Sequence, residues 1–153
     1  MSDEGAQRAM PAPAKWLGLS GLIPFIGCAL IGTLASEPLR SFALNLLLAY
    51  GAIILSFLGG VHWGLLVATG APKLTQKQLA ARFLLSVIPS LIGWAALFIN
   101  GRVGFLVLSL ALALVLVVDR MSLRDGFAPH WFMRLRRILS TGAIASLLIG
   151  FMA

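Results

Sequence analysis

Five long apolar runs divide this chain, near residues 16–35, 42–69, 83–99, 103–118 and 138–153, and the gaps between them share the basic residues very unevenly. The N-terminal segment holds Arg8 and Lys15, the second gap Lys73, Lys77 and Arg82, and the fourth gap Arg120, Arg124, Arg134, Arg136 and Arg137. The first and third gaps hold only Arg40 and Arg102. Ten of the twelve Lys and Arg residues therefore fall on one side of five crossings. Positively charged loops are retained in the cytoplasm during insertion. The pattern predicts an all-α integral membrane protein, a bundle of five transmembrane helices with a cytoplasmic N-terminus and a periplasmic C-terminus.

Composition agrees. The chain is 59% hydrophobic and 11% charged, against about 25% charged in a soluble domain. In a soluble protein a net charge of +7 would point to nucleic acid. Here it is absorbed by the topology signal and by attraction to anionic lipid head groups, so membrane lipids and other membrane proteins are the expected partners and nucleic acid is not. The single cysteine, Cys28, excludes an internal disulfide and reads as a small packing residue. The first apolar run is too long for an ordinary signal peptide and no A-x-A site follows it. Residues 1–14 read as a short disordered tail, leaving 15–153 as one membrane domain.

Along the chain, Trp16 beside Lys15 is an interfacial anchor, and Pro24 predicts a kink in the first span. The second span is the longest and would reach about 43 Å, so it must tilt or protrude. Its Ala52, Ser56, Gly60, Gly64 and Ala68 recur every fourth residue. Small residues let membrane helices approach closely, which predicts that this span forms the centre of the bundle. Gly142, Ser146 and Gly150 form a second small column, placed to pack against it. The fourth span, rich in Leu and Val, reads as lipid-facing or peripheral. Residues 129–137 read as an interfacial amphipathic segment leading into a short fifth span. No internal repeat is visible, and five spans do not divide into two equal inverted halves.

Chemistry-bearing residues are few. His62 is the one ionisable side chain within the expected hydrocarbon region, next to Trp63. Driven carriers usually use buried carboxylates or bases, and the spans as drawn contain no Asp, Glu, Lys or Arg. His62 can hydrogen-bond across the bundle, or contact a lipid, a quinone or a partner. Haem or metal ligation lacks a second ligand at matching depth, so no metal or cofactor is expected. His130, Arg134 and Arg137 form a basic strip, either a snorkelling loop or a contact for anionic head groups. Asp119 and Asp125 are expected to pair with nearby Arg at the exposed surface, for about 0–1 kcal/mol. No nucleophile–base pair, P-loop or paired carboxylate is visible, and the chain reads as a non-enzyme.

The run from Gly51 to Gly64, GAIILSFLGGVHWG, resembles the signature of an uncharacterised membrane family, domain of unknown function 3429. Its members include transmembrane protein 69 of animal mitochondria. Residues 129–136, PHWFMRLR, resemble its second signature, and Asp119 also fits. The likeness spans most of residues 16–150. It implies a bacterial inner-membrane location, or the mitochondrial inner membrane in a eukaryote, and implies no activity. The leading expectation is an accessory subunit or assembly factor of a larger respiratory or photosynthetic membrane complex. The alternative is a lipid- or quinone-binding or transport protein, with His62 and Trp63 lining a cavity and the basic strip holding a head group.

Overall fold

A computed structural model describes residues 10–69, 74–124 and 129–153. Among the described residues six helices follow in order: α1 (Ala12–Ser20), α2 (Leu22–Leu34), α3 (Leu39–Thr69), α4 (Gln76–Ala96), α5 (Gly101–Arg124) and α6 (His130–Met152). Taking α1 and α2 together as one crossing, five helical stretches are long and apolar enough to span a membrane. No strand is present among the described residues.

Local sequence explains several boundaries. The first crossing breaks at Gly21, between α1 and α2. Pro24 supplies no N–H to the Ser20 carbonyl and its ring crowds that oxygen, so the interruption appears one turn before the proline. The Tyr50 hydroxyl on α3 donates to the Gly21 carbonyl over 3.0 Å. Thr75 caps α4 in a reciprocal box: the Gln78 N–H donates to Thr75 Oγ1, and the Thr75 N–H donates to Gln78 Oε1. That arrangement satisfies two of the donors a helix start leaves free. Lys15 lies over the Trp16 ring, 5.6 Å from its centroid, at the end where the first crossing begins.

α3 runs for 31 residues, about 46 Å, well beyond a hydrocarbon core of about 30 Å. It packs against α2, α4, α5 and α6 and is the central helix of the bundle. The core is formed by Phe25, Leu47, Leu55, Leu108, Leu112 and Leu147, all essentially sealed from the surroundings. Lipid tails are as apolar as these side chains, so what they gain over lipid contact is close packing.

Two features depart from the sequence reading. α5 is not peripheral: Leu108, Leu112 and Val115 bury one face of it in the core, and Gly104 lets it approach the Ala96 carbonyl and Leu48. A Leu- and Val-rich helix looks uniform in sequence, and only its neighbours decide which face is inside. The segment 129–137 forms one helix with the fifth span, and its Met133, Leu135 and Arg136 are buried in the bundle instead of lying at an interface. Arg8, Lys73 and Asp125, and most of the expected N-terminal tail, lie outside the described residues.

Candidate functional site

Each inner helix buries a stripe that advances by alternating steps of three and four residues. On α3 it is Leu48, Ala52, Leu55, Gly59, His62 and Leu66. On α5 it is Leu108, Leu112, Val115, Asp119 and Ser122, and on α6 Met133, Arg136, Ser140, Ala143 and Leu147. A mean step of 3.5 residues keeps a face towards its neighbours in left-handed helix packing. Each stripe carries one ionisable residue, and the three meet.

Asp119 stands between the other two. The Arg136 Nε–H donates to Asp119 Oδ2 over 2.7 Å. His62 Nε2 lies 2.8 Å from Asp119 Oδ1, on the opposite carboxylate oxygen from Arg136. Asp119 is 1% exposed, Arg136 6% and His62 8%. Stripping water from a carboxylate and a guanidinium costs several kcal/mol each, and only close pairing offsets it. Asp119 therefore belongs to the interior, not to an exposed surface pair. The premise that the spans carry no buried carboxylate or arginine does not hold. The trio sits near the basic end of the bundle: His62 is seven residues before the end of α3 and Arg136 six residues into α6, each about 10 Å along its helix.

Two cavities flank the trio. The first, of about 100 Å³, lies between α3, α4 and α5, where His62, Arg82, Ser86 and Ser122 supply polar groups among Leu65, Leu85 and Met121. The second, of about 130 Å³, lies on the side of α1, α2 and α6 and is lined by Arg136 and Ser140 among apolar residues. Asp119 lines neither cavity, yet contacts one wall residue of each.

The other expected residues are placed as follows. Trp63 is turned outward and meets the Phe83 ring at a tilt of 59°, centroids 4.6 Å apart, so it does not share the His62 cavity. His130, Arg134 and Arg137 are exposed, whereas Arg136 is buried on the inward face of α6. The structure does not bring that strip to His62, and Arg82 is the basic residue beside the histidine instead. In the α3 column, Ala52 is buried and receives Gly93 of α4 at its carbonyl. Ser56 is half-buried, whereas Gly60, Gly64 and Ala68 face outward, and an added Cβ at either glycine would meet nothing within 4 Å. A spacing of four drifts about 40° per step on a helix of 3.6 residues per turn, so the column turns about 160° from first to last. Gly59 makes the close approach instead, against the Ser86 carbonyl of α4. In the second column Gly142 abuts Leu22, Ser146 is buried and donates to the Gly142 carbonyl, and Gly150 abuts Leu47 and Phe105.

Sequence reading missed Asp119 and Arg136 as site residues. The expected pairing of Asp119 with a nearby Arg places it just past a hydropathy run, and five arginines in that gap leave its partner open. The 3–4 spacing of each with the apolar residues of its own helix was the available signal. Among the described residues, no three His, Cys, Asp or Glu side chains gather as a metal ion would need.

A bundle of five apolar crossings with a charged trio buried towards its basic end defines a polytopic α-helical membrane protein. The chain belongs to the family described as Protein of unknown function (DUF3429), which matches residues 10–152. It is similar to Transmembrane protein 69 of Xenopus tropicalis, 35% identical over 149 residues that make up 95% of this chain and 56% of that protein. It is also similar to Transmembrane protein 69 of Mus musculus, 30% identical over 140 residues, 91% of this chain and 55% of that one. The chain thus spans about half the length of the curated relatives it matches. No solved structure matches it.

Proposed function

We propose that this protein is a non-enzymatic lipid- or quinone-binding protein of the bacterial inner membrane, or of the mitochondrial inner membrane in eukaryotic relatives. The observation that carries the reading is the cavity beside His62. It sits towards the basic end, where head groups lie, and it combines a histidine, an arginine and two serines with apolar walls. Sites for small amphipathic molecules share that make-up, a mostly apolar hollow with a few placed polar groups. Ser122→Leu fills this hollow and His62→Gln removes the imidazole. Native mass spectrometry of protein released from its own membrane should show a retained lipid or quinone that both variants lose. Equal occupancy in wild type and both variants defeats the reading.

A second reading is an accessory subunit or assembly factor of a larger respiratory or photosynthetic complex. It is supported by the outward groove of Gly60, Gly64 and Ala68 on α3, small residues of the kind that seat a second helix. Gly60→Leu plus Gly64→Leu should then release the protein from a high-mass band on native gels in mild detergent. Migration as a free monomer before any substitution removes this reading.

A further inference from the structure

Beside the second cavity lie two buried polar atoms that nothing satisfies among the described residues: Arg136 Nη2 and Ser140 Oγ. Arg136 and Ser140 are one helical turn apart on the same face of α6, and both line that cavity. Ser140 is 2% exposed. Buried donors without partners are uncommon, because each forfeits its hydrogen bonds to water. Here two such donors belong to residues that line one apolar hollow.

Apart from Gly18 and Gly21, the rest of the lining is hydrocarbon and aromatic: Leu22, Phe25, Ile54, Leu112 and Leu139 contribute walls. Leu17 and Phe57 also line it, and they are 74% and 63% exposed on the lipid-facing surface. The hollow is therefore reached from the bilayer. Its volume of about 130 Å³ is close to the ~150 Å³ of a dry cavity that accepts benzene.

Charge selects among ligands. The Arg136 guanidinium is already balanced by Asp119, hydrogen-bonded at Nε. A second full anion at Nη2 would share one cation with that carboxylate in a medium of low dielectric, where like charges repel strongly. A neutral acceptor carries no such cost.

We infer that this cavity is a second binding site, taking the neutral carbonyl of a membrane-dissolved molecule onto Arg136 Nη2 and Ser140 Oγ, with its apolar tail leaving between Leu17 and Phe57. A quinone ring and an acyl ester both present that chemistry. The site lies on the far side of Asp119 from the His62 cavity, and its occupancy does not require the proposed function assigned to that first cavity.

The test uses full-length protein in detergent and equilibrium binding of three probes: decylubiquinone, methyl oleate and oleate. Saturable binding of decylubiquinone or of methyl oleate is expected, and whichever binds identifies the source of the carbonyl. Ser140→Leu fills the hollow and should abolish that binding, while Ser140→Ala, a nearly isosteric change that spares folding, should weaken it about fivefold. Ser122→Leu, in the first cavity, separates the two readings: loss with Ser140→Leu alone supports this site, and loss with Ser122→Leu alone overturns it while sparing the first. Failure of both neutral probes to bind, tighter binding of oleate than of either, or undiminished binding in Ser140→Ala also overturns the inference.

Discussion

His62 on α3 and Asp119 on α5 stand 57 positions apart in the chain, yet their side chains approach to 2.8 Å inside the bundle. The same carboxylate holds Arg136 of α6, so one residue ties three crossings together near the basic end. Within the trio, the Asp119 carboxylate and the Arg136 guanidinium balance one another. Its members are costly apart and tolerable together, which makes the cluster a register device as well as a candidate site.

Removing the carboxylate should expose that dependence. Asp119→Asn leaves the Arg136 guanidinium buried without its counter-ion and should destabilise the fold by about 3–5 kcal/mol. Replacing both partners, Asp119→Leu with Arg136→Met, should recover much of the loss. Reversible SDS unfolding followed by circular dichroism reads both. Similar losses in the single and double variants would mean that the ion pair is not the source.

The two adjacent glycines of α3 should behave differently. A Cβ at Gly59 would press into the backbone carbonyl of Ser86, which cannot swing away as a side chain can. Gly59→Ala should therefore lower the midpoint of thermal unfolding clearly. Gly60→Ala meets open space and should change stability by no more than about 0.5 kcal/mol. Equal effects would show that α3 is rotated from the orientation described.

Tyr50→Phe removes one hydroxyl and its hydrogen bond to the Gly21 carbonyl at the α1–α2 break, while keeping the ring that meets Phe25 edge-on at 4.9 Å. The expected cost is about 1 kcal/mol, seen as faster proteolysis or hydrogen exchange around residues 17–25. Unchanged exchange there would mean that the break needs no support from α3.

Five crossings and the sorting of basic residues predict opposite sides for the two ends of the chain. A reporter fused after Ala153 should be active on the outer side, and one fused before Met1 on the cytoplasmic side. Finding both on one side would require an even number of crossings.

The exposed strip should act through electrostatics alone. Arg134→Ala and Arg137→Ala together should weaken attraction to anionic vesicles by about 1 kcal/mol per residue at low salt. The difference should fade as the ionic strength rises. Co-sedimentation of proteoliposomes with fluorescent anionic lipid, across a salt series, checks it.

The sequence by itself determined the class of protein and the number of apolar crossings. Hydropathy is a property of composition along the chain, and a helix is the solution in which an apolar segment satisfies its own backbone. It also held His62, because a lone imidazole within an apolar run stands out. Which face of each helix turns inward was decided only by tertiary structure. The fourfold column ending in Gly64 and Ala68 looks like a seam in sequence but winds around α3, and the alternating three–four stripe through His62 is the face that packs. Asp119 and Arg136 illustrate the same limit. Near a helix end, a charged residue can reach water or turn inward, and the choice depends on whether a counter-charge waits on another helix at the same depth. That coincidence of depth is a relation among three segments, which local sequence does not encode and packing supplies.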